Sequence, residues 1–173
     1  MDDEIPDESE TGLTSRAPKE EDLVALCQQL NALGARYLVC GGFAIIQAGY
    51  PRATGDIALL VDASLENEAL VFTALESLPD KAVRQLDTGD LAKYIVCRIA
   101  DEVLVDLMAS AGGIEYAEAA QEIVVRKIGG IAIPFASPLL LWRMKQRTHR
   151  AKDAPDLLFL RQLLEAQGIT PPN

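Results

Sequence analysis

Residues 37–62 read YLVCGGFAIIQAGYPRATGDIALLVD, and the folding of this stretch decides how the rest of the chain is arranged. A short apolar run, Tyr37 to Cys40, meets Gly41 and Gly42 and then Phe43 to Gly49; Arg52 and Thr54 follow, and a second apolar run carries Asp56. The pattern predicts strand, glycine turn, short helix, loop and strand. Glycines at such a turn let backbone approach a ligand closely. The start of the next helix offers unpaired N–H groups and a positive dipole end to an anion, for which a phosphate is the fitting guest.

Alternation along Asp56 to Val61 places Asp56, Ala58 and Leu60 on one face, toward the glycine turn, and Ile57, Leu59 and Val61 on the other. Further on, Val103 to Met108 is another apolar, β-branched run with one carboxylate inside it, Asp106. A lone aspartate in such a run is costly unless it binds something.

This arrangement resembles the nucleotidyltransferase superfamily of the DNA polymerase β type, in particular its small bacterial branch with abortive-infection toxin-type and aminoglycoside nucleotidyltransferase-like proteins. That family has a GG or GS turn opening a helix, a T-x-D-h-D strand, and a third acid on a neighbouring strand. Gly41-Gly42, Thr54-Gly55-Asp56 and Asp106 match it, whereas Ala58 stands where the second carboxylate belongs. The resemblance continues past residue 140, where Lys145 precedes Arg150-Ala151-Lys152-Asp153, similar to a Lys and R-x-K-D signature on the family's C-terminal helices.

The resemblance implies transfer of a nucleoside monophosphate from an NTP to a hydroxyl on RNA, a protein or a small molecule. Such chemistry is served by two divalent ions roughly 4 Å apart, hard cations that take oxygen ligands. By the same resemblance Asp56 and Asp106 are ligands of Mg2+ (or Mn2+). Gly41, Gly42, Arg52, Thr54, Lys145, Lys152 and Asp153 surround the nucleotide, and Ala58 impairs or abolishes catalysis by leaving an ion short of a ligand. The alternative is a non-catalytic nucleotide-binding or toxin–antitoxin-type regulatory module that uses the same pocket without turnover.

Working outward, 173 residues with 49% apolar content suffice for one domain with a core. More than half of the formal net charge of −10 is local, since residues 1–21 hold eight acids against Arg16 and Lys19. An acidic chain is a poor non-specific binder of nucleic acid, so any RNA contact needs a local basic patch. The dense candidate is Arg143, Lys145, Arg147, Arg150 and Lys152, with the only histidine, His149, inside it. Cys27, Cys40 and Cys97 are odd in number, lack metal-type spacing and read as reduced core residues. The acidic start is unlike a signal peptide, and no apolar run reaches the roughly 20 residues that span a bilayer. A cytoplasmic location is expected.

The expected organisation is a disordered acidic tail (1–17), an α/β core (18–135) and a C-terminal helical segment (136–173) packed on it. Helices are predicted from Pro18 to Gly34 and from Ser64 to about Leu78, the latter with Leu65, Leu70, Val71, Leu75 and Leu78 inward. Ala82 to Leu86, Lys93 to Ile99 and Val103 to Met108 read as strands, the last two as a hairpin turning at Ala100 to Glu102. Gly112 to Ala120 reads as a short helix, and Ile123 to Ile128 with Ile131 to Pro134 as a hairpin. Ser137-Pro138 opens a helix through Arg147. Asp153 opens the last one, with Leu157, Leu158, Leu160, Leu163 and Leu164 inward, and residues 170–173 are expected to fray. The fold class is α/β (α+β), a small mixed sheet of about five strands with packed helices.

Overall fold

The quoted stretch becomes the middle of the sheet. Tyr37–Cys40 is β1, Gly41–Gln47 is a short helix and Asp56–Val61 is β2, with β1 antiparallel to β2 and Cys40 opposite Ala58. The structure, a computed structural model, describes residues 15–148 and 150–173. Positions 1–14, most of the expected tail, and His149 lie outside the described residues. The last tail residues are held in place: the Ser15 hydroxyl donates to the Asp101 carbonyl at 2.6 Å, and the Arg16 N–H donates to the Glu102 carbonyl at 2.9 Å.

In chain order the helices are α1 (Glu20–Leu33), α2 (Gly41–Gln47), α3 (Leu65–Leu75), α4 (Asp90–Lys93), α5 (Tyr116–Ala119), α6 (Pro138–Gln146) and α7 (Ala154–Ala166). The remaining strands are β3 (Cys97–Ala100), β4 (Leu104–Met108), β5 (Ser110–Ala111), β6 (Ile114–Glu115), β7 (Ile123–Ile128) and β8 (Ile131–Ala136). The main sheet has six strands, ordered β3-β4-β2-β1-β8-β7, and β5 and β6 form a separate ribbon. It is mixed, as expected: β2 and β4, and β1 and β8, pair in parallel, and the other neighbours are antiparallel. None of the described helices is long and apolar enough to cross a membrane.

Local chemistry fixes these boundaries. α1 starts where the Asp22 carboxylate accepts the Lys19 N–H at 2.7 Å, and it stops at Gly34, which takes the left-handed conformation (φ 72°). Ser64 caps α3 by accepting from the Asn67 N–H, and Ser137 caps α6 by accepting from Leu140 ahead of Pro138. Leu23, Leu26, Cys27 and Leu30 of α1 are buried in the core, together with Val71, Ala74 and Leu75 of α3. All three cysteines are buried and free, and burial pushes the Cys27 thiol up to about 12.

Several expectations are corrected. Ala82–Gln85 is a 3-10 turn and not a strand, because the buried Asp101 carboxylate accepts the N–H groups of Asp80 and Ala82 at 2.9 Å each and curls the chain onto the β3–β4 turn. The segment from Lys93 is extended only from Cys97. Before it, the buried Glu68 carboxylate accepts from Gly89 (2.8 Å) and Leu91 (3.1 Å) and holds a helical turn. Gly112 and Gly113, at φ 57° and 80°, turn the β5–β6 ribbon, and only Tyr116–Ala119 of the expected helix is helical.

Leu65 and Leu158 are exposed at 60% and 58% instead of inward. In their helices the buried positions are taken by Asn67 and Glu68, and by Asp156, Leu160 and Leu164. The end of the chain is fastened: Pro171 is buried, and the Trp142 indole N–H donates to the Pro172 carbonyl at 2.7 Å.

Candidate functional site

Strand register aligns one side chain from each of four neighbouring strands. Cys40 on β1 is opposite Ala58 on β2, Ala58 is opposite Asp106 on β4, and Asp106 is opposite Arg98 on β3. Directly opposed residues share a face of the sheet, and so do residues two apart on one strand. Asp56 therefore joins this row, one step along from Ala58. The two acids that the sequence places in separate runs thus converge, as their shared salt-bridge partner requires.

That partner is Arg98. Its Nε donates to Asp106 Oδ1 at 2.8 Å, and its Nη2 donates to Asp106 Oδ2 at 2.9 Å and to Asp56 Oδ2 at 3.1 Å. The Asp106 contact is a two-pronged guanidinium–carboxylate pair, the strongest geometry available to these groups. Burial and the adjacent Asp106 carboxylate push the Asp56 carboxyl up to about 6, against the opposing charges of Arg98 and Lys152. The hydrogen bond to Asp106 raises Arg98 further above the neutral range. Burial pushes the Cys40 thiol, at the far end of the row, up to about 12.

The row floors a cleft of about 860 Å3. Gly41, Gly42, Arg52, Thr54, Asp56, Ala58, Asp106, Lys145, Lys152 and Asp153 all line it, so the candidate residues read from the sequence stand around one space. The volume lies within the roughly 300–1,000 Å3 usual for small-molecule sites.

Gly41 and Gly42 line the cleft and also have no room for a side chain. A Cβ on Gly42 would stand 2.3 Å from the Thr54 hydroxyl and 2.6 Å from its Cβ, and one on Gly41 (φ 67°) would meet the Ala58 methyl at 2.9 Å. Both are therefore required by packing, Gly41 of α2 against β2 and Gly42 against Thr54 in the loop before it. The Thr54 hydroxyl donates to the Asp56 carbonyl at 3.2 Å and holds the mouth of the strand.

The opposite wall carries a second ion cluster, built by the C-terminal elements. Lys145 Nζ lies 3.2 Å from Asp153 and 3.3 Å from Asp156, whose side chains are 4% and 6% exposed. Arg150 and Thr148 donate to Asp153 at 3.0 and 2.7 Å, and Arg52 donates to Asp156 at 2.9 Å. Burial opposes ionisation of Asp153, but the Thr148, Lys145 and Arg150 partners outweigh it and lower its pKa. Lys145 and Arg52, expected against phosphate, are thus engaged with carboxylates. Lys152 is exposed on the rim.

Sequence reasoning missed Arg98 and Asp156 as part of the site. For Arg98 a signal was present: the chain alternates Cys97-Arg98-Ile99-Ala100 beside a strand carrying Asp106. Asp156 falls three residues after Asp153, close to one helical turn.

No protein-family model and no curated protein sequence matches the chain. Solved structures do. An antigenic nucleotidyltransferase-like protein from Paracoccidioides brasiliensis superposes with a TM-score of 0.53 at 20% identity, over 88% of this chain and 79% of that one. A candidate nucleotidyltransferase from Thermotoga maritima gives a TM-score of 0.49 at 17% identity, over 87% of this chain and 97% of that one. At these identities the likeness concerns the fold. With its mixed sheet, its glycine turn and acid pair on neighbouring strands, and its helical C-terminal wall, the chain has a nucleotidyltransferase-like fold.

Proposed function

We propose that the cleft binds a nucleoside triphosphate and that this chain does not carry out two-ion nucleotidyl transfer. The observation that carries the reading is the cross-strand row: Ala58, a methyl packed on Gly41, stands between Cys40 and Asp106, where a bridging carboxylate would be needed. Two divalent ions close together need several shared oxygen ligands. Only Asp56 and Asp106 remain on the floor, and both already hold the Arg98 guanidinium. Among the described residues no group of three His, Cys, Asp or Glu side chains is arranged to hold a metal ion. The residues present do not fit the Mg2+ (or Mn2+) pair that the resemblance implies.

In this reading the base and sugar occupy the open part of the cleft, and Lys152 and Arg150 on the rim draw in the phosphates. The protein acts as a nucleotide-binding module, the class to which a regulatory or toxin–antitoxin role would belong. An active member of this fold would instead pass the nucleotide to a hydroxyl of RNA, a protein or a small molecule.

The test is to measure equilibrium binding of labelled ATP, GTP, CTP and UTP, and then to incubate the same protein with each labelled NTP, Mg2+ or Mn2+ and a cell extract. Saturable binding of at least one NTP without labelled product is expected. Transfer of label to any acceptor, lost in Asp56→Asn, would overturn the proposal, as would failure to bind all four.

A further inference from the structure

We propose that Arg98 is the resident cation of this cleft: it fills the seat between Asp56 and Asp106, excludes a divalent ion from it, and receives phosphate oxygens directly, so that polyphosphate binding is independent of divalent metal. This deepens the reading of the cleft as a nucleotide site, but the exclusion of metal stands apart from it.

Three observations support the assignment. First, Arg98 is positioned by backbone register and not by chance of a long side chain. It is the direct cross-strand neighbour of Asp106 in the β3–β4 hairpin, whose tight turn is closed by the Asp101 N–H donating to the Val103 carbonyl. Second, its donors divide in two. A guanidinium has five N–H groups; the one on Nε and the two on Nη2 are spent on Asp106 and Asp56. The two on Nη1 make no bond among the described residues. The side chain lines the cleft and is 54% exposed, so this remaining edge has access to a ligand.

Third, the lining already carries one more cation than carboxylates without any added ion. Arg52, Arg98, Lys145, Arg150 and Lys152 face Asp56, Asp106, Asp153 and Asp156. A divalent ion bound to both acids would sit in contact with the guanidinium, like charge against like, and would have to displace it. Arginine keeps its charge at every working pH and presents planar, paired donors suited to phosphate. A guanidinium braced by two carboxylates is therefore a fixed phosphate anchor.

The experiment compares the wild type with Arg98→Ala and Arg98→Gln, the second retaining bulk and hydrogen bonding without charge. Two quantities are read: binding of Mn2+ alone, by the loss of its free-ion paramagnetic resonance signal, and binding of labelled ATP in EDTA and in Mg2+. The wild type should take up no Mn2+ at this seat and bind ATP equally in EDTA and Mg2+.

Removing the charge should create a Mn2+ site that a further Asp56→Asn change abolishes. It should also weaken ATP binding in EDTA by roughly tenfold or more, the worth of a hydrogen bond to a charged group. Mn2+ uptake by the wild type that Asp56→Asn removes would overturn the proposal. So would unchanged ATP binding in EDTA by both folded variants. If no protein binds ATP, the nucleotide reading fails, while the Mn2+ comparison still decides who occupies the seat.

Discussion

At the residue scale, two positions translate geometry into measurable energy. Gly42 has no room for a side chain, since the space of its Cβ is taken by the hydroxyl and Cβ of Thr54. Gly42→Ala should destabilise the fold by about 1–3 kcal/mol, the usual cost of overpacking, read as a lower denaturation midpoint in urea at unchanged slope. Asp56 is raised to about 6 by burial and by Asp106 beside it. The folded state thus holds this proton more tightly than the unfolded one, so the group's contribution is full below the ordinary carboxylate range and is lost as pH rises through about 6. The fall in urea midpoint between about pH 5 and about pH 7 should therefore be smaller in Asp56→Asn than in the wild type. The acid pair itself was legible from alternation in two apolar runs. The steric duty of the glycines was not, because it depends on which atoms of β2 and of the loop before it lie across from α2.

At the element scale, the C-terminal wall is an ion cluster tying α6 to α7 and to the loop before β2. Asp156 is 6% exposed and accepts from Arg52 at 2.9 Å, with Lys145 at 3.3 Å. The buried Nε of Arg52 has no hydrogen-bond partner among the described residues. Asp156→Ala would leave two cations facing each other without their shared anion, and it should cost about 3–5 kcal/mol in chemical denaturation, the range for breaking a buried pair. The same scale explains what the sequence conceals. A turn at Ala100 to Glu102 sets Arg98 opposite Leu104; the observed pairing sets it opposite Asp106. Both registers put Arg98 on the Asp106 face, because strand side chains repeat every two residues. Parity alone was thus enough to bring Arg98 to the site. The 3-10 turn at Ala82–Gln85 was hidden because its cause, the carboxylate of Asp101, lies on a distant part of the chain.

At the scale of the whole molecule, the strand–glycine–helix–strand unit and the parallel β4 set the floor of the cleft, and the helices after residue 136 supply its opposite wall. The mixed sheet was legible because each strand is an apolar run bounded by turn residues. The β5–β6 ribbon was not, since a short segment opening on paired glycines, Gly112 and Gly113, reads equally as helix or hairpin. The assembled cleft is a nucleotidyltransferase-like frame whose acids hold a guanidinium. The most direct test of that statement is anomalous diffraction at the manganese edge from crystals grown with Mn2+ and a non-hydrolysable ATP analogue. The prediction is triphosphate density against the free edge of Arg98 and no anomalous peak between Asp56 and Asp106. A manganese peak bridging those two carboxylates, with Arg98 turned away, would contradict it.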